Sequence, residues 1–327
     1  MKPAELRSKI KGVINIMPTP FSADGSLDKE GLRKNARFLV ERFRGEDAVI
    51  VTTGSTSEFY AMSDEECKTV AKIVVEEVNH ELPVIVGSAR AGTEPTIEMS
   101  KYAQEIGADG VMIVLPYYHI PSREGLYRHY KRVAESIDIG IMIYDNPFTS
   151  KLWVDPDLMQ MLSKIDNIVA CKENTTDMGQ FYSMLKKVSP EDMIIVTGLS
   201  ELYYSFLWIW GCRGFISSTI SNFSPELALS VYKAGAAGDI EKLRESVDRL
   251  MPFNELMVKI GKRRGPLPTI LSPATTPVEQ PIYIALTKQA MNLVGLAGGY
   301  PRDPMDRLIE DEVDELRVAL KEMGLVS

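Results

Sequence analysis

The sequence predicts an α/β fold, a (β/α)8 barrel that carries a C-terminal helical extension. Three observations predict it. Eight short apolar runs begin near positions 12, 47, 83, 109, 139, 167, 193 and 213, with successive starts 20 to 36 residues apart. Longer amphipathic stretches fill the gaps, so strand and helix alternate, and that alternation implies a parallel sheet. Eight such units within the first ~230 residues match the size of a closed eight-stranded barrel. An open doubly wound sheet is the competing arrangement. It would offer a Gly-rich phosphate loop after its first strand, and Pro18-Thr19-Pro20-Phe21 is not one.

Taken in order, the runs are Val13 to Met17, Ala48 to Val51, Val84 to Val86, Val111 to Leu115, Ile139 to Tyr144, Ile168 to Cys171, Met193 to Val196 and Phe215-Ile216. They are continuous rather than alternating, as strands covered on both faces should be. Leu27 to Phe43, Asp64 to Val78 and Glu94 to Ile106 show helical spacing, and Ser63-Asp64-Glu65-Glu66 supplies a cap and early acids for the second of them. Beyond residue 225 only helical patterns remain: Pro225 to Ala237, Ile240 to Ile260, Pro281 to Val294 and Asp303 to Met323. The expected division is a barrel over residues 1–237 and an extension over 238–327 packed against it. Between Gly265 and Pro281, five prolines rule out one continuous helix, and an ordered loop or a flexible connector both fit.

Composition narrows the function. The chain has 327 residues, 45% of them hydrophobic and 25% charged, which is the profile of a globular enzyme. Its 37 basic and 45 acidic residues give a net charge of -8, against a nucleic-acid partner or an anionic membrane surface. A small anionic substrate stays compatible, because a few local donors hold a carboxylate in an acidic protein. The 3 cysteines, Cys67, Cys171 and Cys212, show no metal or redox spacing and read as reduced intracellular thiols. The charged opening Met1-Lys2-Pro3-Ala4-Glu5-Leu6-Arg7 lacks a signal-peptide core, and Leu202 to Gly211 is too short to span a bilayer. A soluble cytoplasmic protein is expected.

Barrel enzymes of this type keep their chemistry at the C-terminal strand ends. The sixth run closes as Ala170-Cys171-Lys172-Glu173-Asn174. A lysine in an apolar mouth loses its charge through desolvation, and a neutral amine is what carbinolamine and imine formation require. A salt-bridged or exposed strand-end lysine fits the same residues. The fifth run ends in Tyr144-Asp145-Asn146-Pro147, one strand–helix unit earlier, where a phenol could move protons or simply line the barrel. The second ends in Thr52-Thr53-Gly54-Ser55-Thr56-Ser57-Glu58-Phe59, a turn rich in donors for a carboxylate or an ordinary polar turn. Pro116-Tyr117-Tyr118 adds phenols to the rim. His80, His119 and His129 share no ligand spacing, so no metal cofactor is expected.

Together these motifs resemble the dihydrodipicolinate synthase / N-acetylneuraminate lyase family, the class I pyruvate aldolases built on a TIM barrel. The resemblance runs from Gly12–Phe21 through the Gly54–Phe59 turn, Pro116-Tyr117-Tyr118, Tyr144–Pro147 and Lys172-Glu173 to Gly211–Glu226. It implies that Lys172 forms an imine with a 2-oxo acid, usually pyruvate, and that Tyr144 relays protons. Ser55 and Thr56 would bind the carboxylate, and Thr56 would link Tyr144 to Tyr118, the latter contributed by a neighbouring subunit. A homodimer or homotetramer follows from that, with no cofactor. Arg302, in Pro301-Arg302-Asp303-Pro304, is similar to a structural R-x-P of the family.

Two departures stand out. Ser57 replaces the motif's usual glycine, which would cost about 1 kcal/mol if the backbone there has φ > 0. Thr149 stands where dihydrodipicolinate synthases place an arginine, and a threonine gives no bidentate charged contact. Gly198 and Glu201 of the seventh strand end resemble the turn of the sugar-acid lyases. With Ser218 and Thr149 they are the expected substrate-binding positions, although Ser200 and Glu201 also fit a helix cap and first-turn acid. The expected activity is therefore cleavage or condensation of a 2-oxo acid, with a 2-keto-3-deoxy sugar acid as best substrate. Dihydrodipicolinate synthesis, sugar-acid dehydration and an aromatic hydratase-aldolase reaction share the same lysine chemistry. A non-catalytic oxo-acid-binding barrel is the alternative of another class.

Overall fold

The computed structural model describes residues 1–265 and 282–327; the proline-rich segment singled out above lies almost wholly outside them. Eight parallel strands close into a barrel in sequence order: β1 (Gly12–Ile16), β2 (Ala48–Thr52), β3 (Val84–Gly87), β4 (Gly110–Val114), β5 (Gly140–Asp145), β6 (Ile168–Glu173), β7 (Ile194–Thr197) and β8 (Gly214–Ser217). Each coincides with an apolar run of the sequence. Every strand residue is buried, because the barrel interior covers one face and a ring of helices the other.

The helices, in chain order, are α1 (Pro3–Lys9), α2 (Lys29–Phe43), α3 (Asp64–Val78), α4 (Thr93–Glu105), α5 (Arg123–Ala134), the short α6 (Pro147–Ser150), α7 (Pro156–Leu162), α8 (Met178–Lys187), α9 (Ser200–Leu207) and α10 (Pro225–Ala237). Ser63 and Glu66 form a reciprocal capping box on α3, the start the sequence signals. At the foot of the barrel α1 presses Leu6 against the β5 start. A Cβ on Gly140 would come within 2.7 Å of the Leu6 side chain, so the position needs a residue without one.

Three further helices make the extension: α11 (Ile240–Arg264), α12 (Tyr283–Leu293) and α13 (Glu310–Glu322). The last begins later than the sequence pattern suggests. Residues 303–309 are irregular, and the Arg302 just before them is tied to Glu58, Glu66, Gly25 O and Ala61 O rather than to the start of a helix. No helix among the described residues is long and apolar enough to cross a membrane.

Candidate active site

Strand register brings the two chemically distinctive side chains together. β5 and β6 pair with Tyr144 opposite Lys172, so both project from adjacent strands into the barrel mouth. Lys172 is only 3% exposed. Its Nζ lies 3.6 Å from the centre of the Tyr144 ring and makes no ion pair with any described carboxylate. Burial alone pushes its ammonium down to about 7, so roughly half of the amine is neutral near pH 7.

The Tyr144 phenol is also buried, and burial raises it well above the ordinary tyrosine range. Its oxygen accepts a 2.8 Å hydrogen bond from Asn146 Nδ2, with Ser55 and Asn174 in reach. Asn146 Nδ2 also donates to Thr149 Oγ1 at 2.9 Å. The side-chain amide oxygens of Asn146 and Asn174 are buried without a donor among the described residues. Asn174 fills the space beside Gly198: a Cβ on Gly198 would sit 1.7 Å from Asn174 Oδ1 and 3.1 Å from Lys172 Cγ. Glycine at 198 is thus a condition for seating Asn174 next to the lysine. A small cavity lined by Thr53, Gly54, Ser55, Phe59, Ala89 and Tyr144 opens on the other side of the phenol.

The loop after β2 is anchored from far away in sequence. Glu58 is fully buried and forms an ion pair with the equally buried Lys288 of α12. The Arg302 backbone N–H donates to Glu58 Oε2 at 2.8 Å, and its guanidinium binds Glu66, Gly25 O and Ala61 O. Ser57 does not strain the turn as feared. The left-handed positions are Thr53 (φ 52°) and Glu58 (φ 59°), not residue 57. The Ser57 hydroxyl instead donates to Met17 O at 2.5 Å and accepts from Gly54 N at 3.2 Å.

Other expected site residues are more dispersed. Thr56 is buried, and its hydroxyl meets the phenol of Tyr283, the first residue of α12. Tyr118, expected to meet Thr56, is 74% exposed and packs edge-on against His119. Thr149 is exposed on α6, and Lys151 Nζ donates to Tyr117 O at 3.2 Å. Glu201 is buried and accepts the Ser217 hydroxyl; burial raises its carboxyl to about 7. Ser200 does not cap α9: the cap position is Leu199, without a side-chain bond, and Ser200 itself has φ 84°. Ser218 is half-buried, with its carbonyl taken by Asn222 Nδ2 at 3.1 Å.

A strand-end lysine with a depressed pKa, beside a buried phenol and a donor-rich turn on a closed barrel, is a specific constellation. The family model described as the dihydrodipicolinate synthetase family matches residues 9–323. The chain belongs to the dihydrodipicolinate synthetase family. It is 33% identical over 320 residues to a 4-hydroxy-tetrahydrodipicolinate synthase of Methanopyrus kandleri, covering 97% of this chain and 98% of that one. The chloride-inhibited dihydrodipicolinate synthase of Acinetobacter baumannii, solved with pyruvate, superposes with a TM-score of 0.82 at 27% identity, covering 97% and 100% of the two chains. YagE of E. coli K12, a prophage protein of the dihydrodipicolinic acid synthase family also solved with pyruvate, gives 0.83 at 25% identity over 97% and 99%.

As a member of the dihydrodipicolinate synthetase family the chain is an enzyme of the class I aldolase type. Three residues beside Tyr144 and Thr56 were not anticipated: Asn146, Asn174 and Tyr283. The first two carried a signal. Side chains two apart on a strand share a face, so Tyr144 and Lys172 each point to the asparagine two positions on. Tyr283 had none, because only the closed fold brings α12 to the β2 loop.

Proposed function

We propose that the chain makes or breaks a carbon–carbon bond in a 2-oxo acid through an imine on Lys172, with pyruvate as the ketoacid accepted or released. The observation that carries this reading is the buried amine of Lys172, which pairs with no carboxylate among the described residues. Neutral Nζ attacks the ketone carbon, and loss of water leaves the imine. In the cleavage direction Tyr144, having given its phenolic proton to the departing carbinolamine hydroxyl, is a phenolate beside a protonated imine. The C3–C4 bond breaks, its electron pair enters the protonated imine to give a neutral enamine, and the C4 hydroxyl proton returns to the Tyr144 phenolate as the aldehyde leaves. Protonation at C3 and hydrolysis then free pyruvate and the amine. Ser55 and Thr56 donate to the ketoacid carboxylate. Two similar structures contain pyruvate, which supports the choice.

For the remainder of the substrate, the reading is a hydroxylated 2-oxo acid such as a 2-keto-3-deoxy sugar acid, received by Glu201, Ser218, Gly198 and Thr149. The second reading is the condensation named in the relatives, 4-hydroxy-tetrahydrodipicolinate synthesis. Thr149 disfavours it, since neither threonine nor the engaged Lys151 gives a fork for a second carboxylate. Tyr118, Ile120, Phe148 and Trp153 are exposed large apolar side chains in the segments that follow β4 and β5, suited to cover by a second copy of the chain, as a dimer or tetramer would require.

Borohydride treatment with and without pyruvate, read by intact mass and peptide mapping, tests the proposal. A pyruvate-dependent, irreversible mass gain on Lys172 is expected, absent in Lys172→Ala. No gain in the wild-type protein overturns the imine and leaves an oxo-acid-binding barrel. Pyruvate release or consumption across a panel of 2-oxo acids and aldehydes then separates the two substrate readings.

A further inference from the structure

Directly behind Tyr144 and Lys172 the same two strands carry Asp145 and Glu173. Strand alternation turns these side chains away from the barrel mouth, and the β5–β6 register sets them opposite each other. Both are fully buried. One oxygen of each is satisfied by a backbone donor: Asp145 Oδ2 accepts from Val154 N at 2.9 Å, and Glu173 Oε1 from Thr175 N at 2.9 Å. The other two oxygens, Asp145 Oδ1 and Glu173 Oε2, are buried with no donor among the described residues. Among the described residues the titratable groups bearing on the pair are the Tyr130 phenol from α5 and the Cys171 thiol from β6, and neither brings positive charge. Two carboxylates cannot be buried side by side without a counter-charge.

We propose that Asp145 and Glu173 share one proton between their two unpartnered oxygens, and that this acid–carboxylate pair is a positioning clamp for Tyr144 and Lys172. The clamp joins the ends of β5 and β6 and, through Val154 and Thr175, fixes the two loops that follow them. Desolvation raises both carboxyls; the charge of Asp145 and the bond to it raise Glu173 further, while the same bond acts to lower Asp145, which makes Glu173 the proton's home. The positioning role rests on the imine reading; the shared proton does not.

The donor count makes the test sharp. Glu173→Gln keeps the Thr175 bond and turns an amide N–H toward Asp145; Asp145→Asn does the reverse. Each single variant reproduces the pair without a titratable proton. The double variant must oppose two donors. In the folded protein the pair binds a proton that the unfolded chain releases above about pH 4, so stability falls as pH rises from there. Expected results, on the full chain, are that each single variant folds, loses part of the wild-type fall in unfolding midpoint between pH 5 and 9, and loses a protonated-carboxyl band in the infrared. Both singles should form the borohydride adduct with pyruvate at near wild-type rate. The double variant should be less stable and form it roughly tenfold to a hundredfold more slowly, the cost of ångström-scale misplacement. Single variants that keep the full wild-type pH slope and band, or a folded double variant that matches the singles, overturn the proposal. If the double variant does not fold, the slope and band of the singles decide. A wild-type protein without adduct defeats the imine reading alone, because slope and band still report the proton.

Discussion

Lys172 and Lys288 are both buried, both lie over an aromatic ring, and have opposite chemistry. Lys288 Nζ sits 4.6 Å from the Phe21 ring centre, pairs with Glu58 and donates to Tyr300 O at 2.8 Å. Burial lowers it to about 8, with Glu58 acting in the other direction. Lys172 has the ring of Tyr144 but no carboxylate among the described residues, and burial acts on it unopposed. The lesson is that desolvation alone does not make a reactive amine. A compensated lysine holds structure together, and an uncompensated one is left with a lone pair to use.

The largest test of that contrast is at Lys172. The pyruvate adduct of the wild-type protein should fall about tenfold in rate per pH unit below its pKa of about 7 and level off above it. The same shift has a stability cost. The folded lysine sits near 7 against an ordinary value of 10.5, so the folded state binds fewer protons than the unfolded chain between these values. The cost is complete below pH 7 and is relieved as pH rises toward 10.5. Lys172→Met should therefore unfold at a higher temperature than the wild type at pH 7, and the gain should shrink in alkali. A Met variant no more stable than wild type at pH 7 would mean that the amine is solvated.

At Lys288 the expected effect is on folding rather than reactivity. Lys288→Met strands the Glu58 carboxylate and should destabilise by about 3 kcal/mol or more in chemical denaturation. Adding Glu58→Gln should recover part of the loss, since no buried charge then remains. Protein that stays folded should still trap pyruvate on Lys172. Equal loss in the single and double variants would show that packing, not charge compensation, is what Lys288 contributes.

The same contrast explains what was legible in the sequence. The eight strands were readable because strands covered on both faces are uniformly apolar, and nothing else in the chain repeats at that spacing. Lys172 and Tyr144 were readable because a reactive group ending such a run stands out. The state of the β2 turn was not. Position 57 looked strained, but the positive φ falls on Thr53, whose hydroxyl is tied to Gly87 O, and on Glu58, which contacts with Arg302 and Lys288 hold in place. Local sequence cannot reveal a turn whose shape is set by residues more than 200 positions later. Tyr118 is the converse case: its motif is clear, yet in a single chain its ring faces outward.

The smallest expected effect concerns which phenol serves Thr56. Tyr283 begins the helix that also carries Lys288, so the element that compensates one buried lysine also reaches the surroundings of the other. Tyr283→Phe removes only the hydroxyl and leaves the ring packed, so folding should change by no more than about 1 kcal/mol, one hydrogen bond. Adduct formation should persist, because Lys172 and Tyr144 are untouched. Steady-state turnover should fall several-fold, with kcat affected more than KM, if Thr56 passes protons between the Tyr283 and Tyr144 oxygens. Tyr118→Phe gives the control. A larger loss of kcat there, with Tyr283→Phe silent, would assign the relay to a phenol brought by a second copy of the chain and reduce Tyr283 to packing.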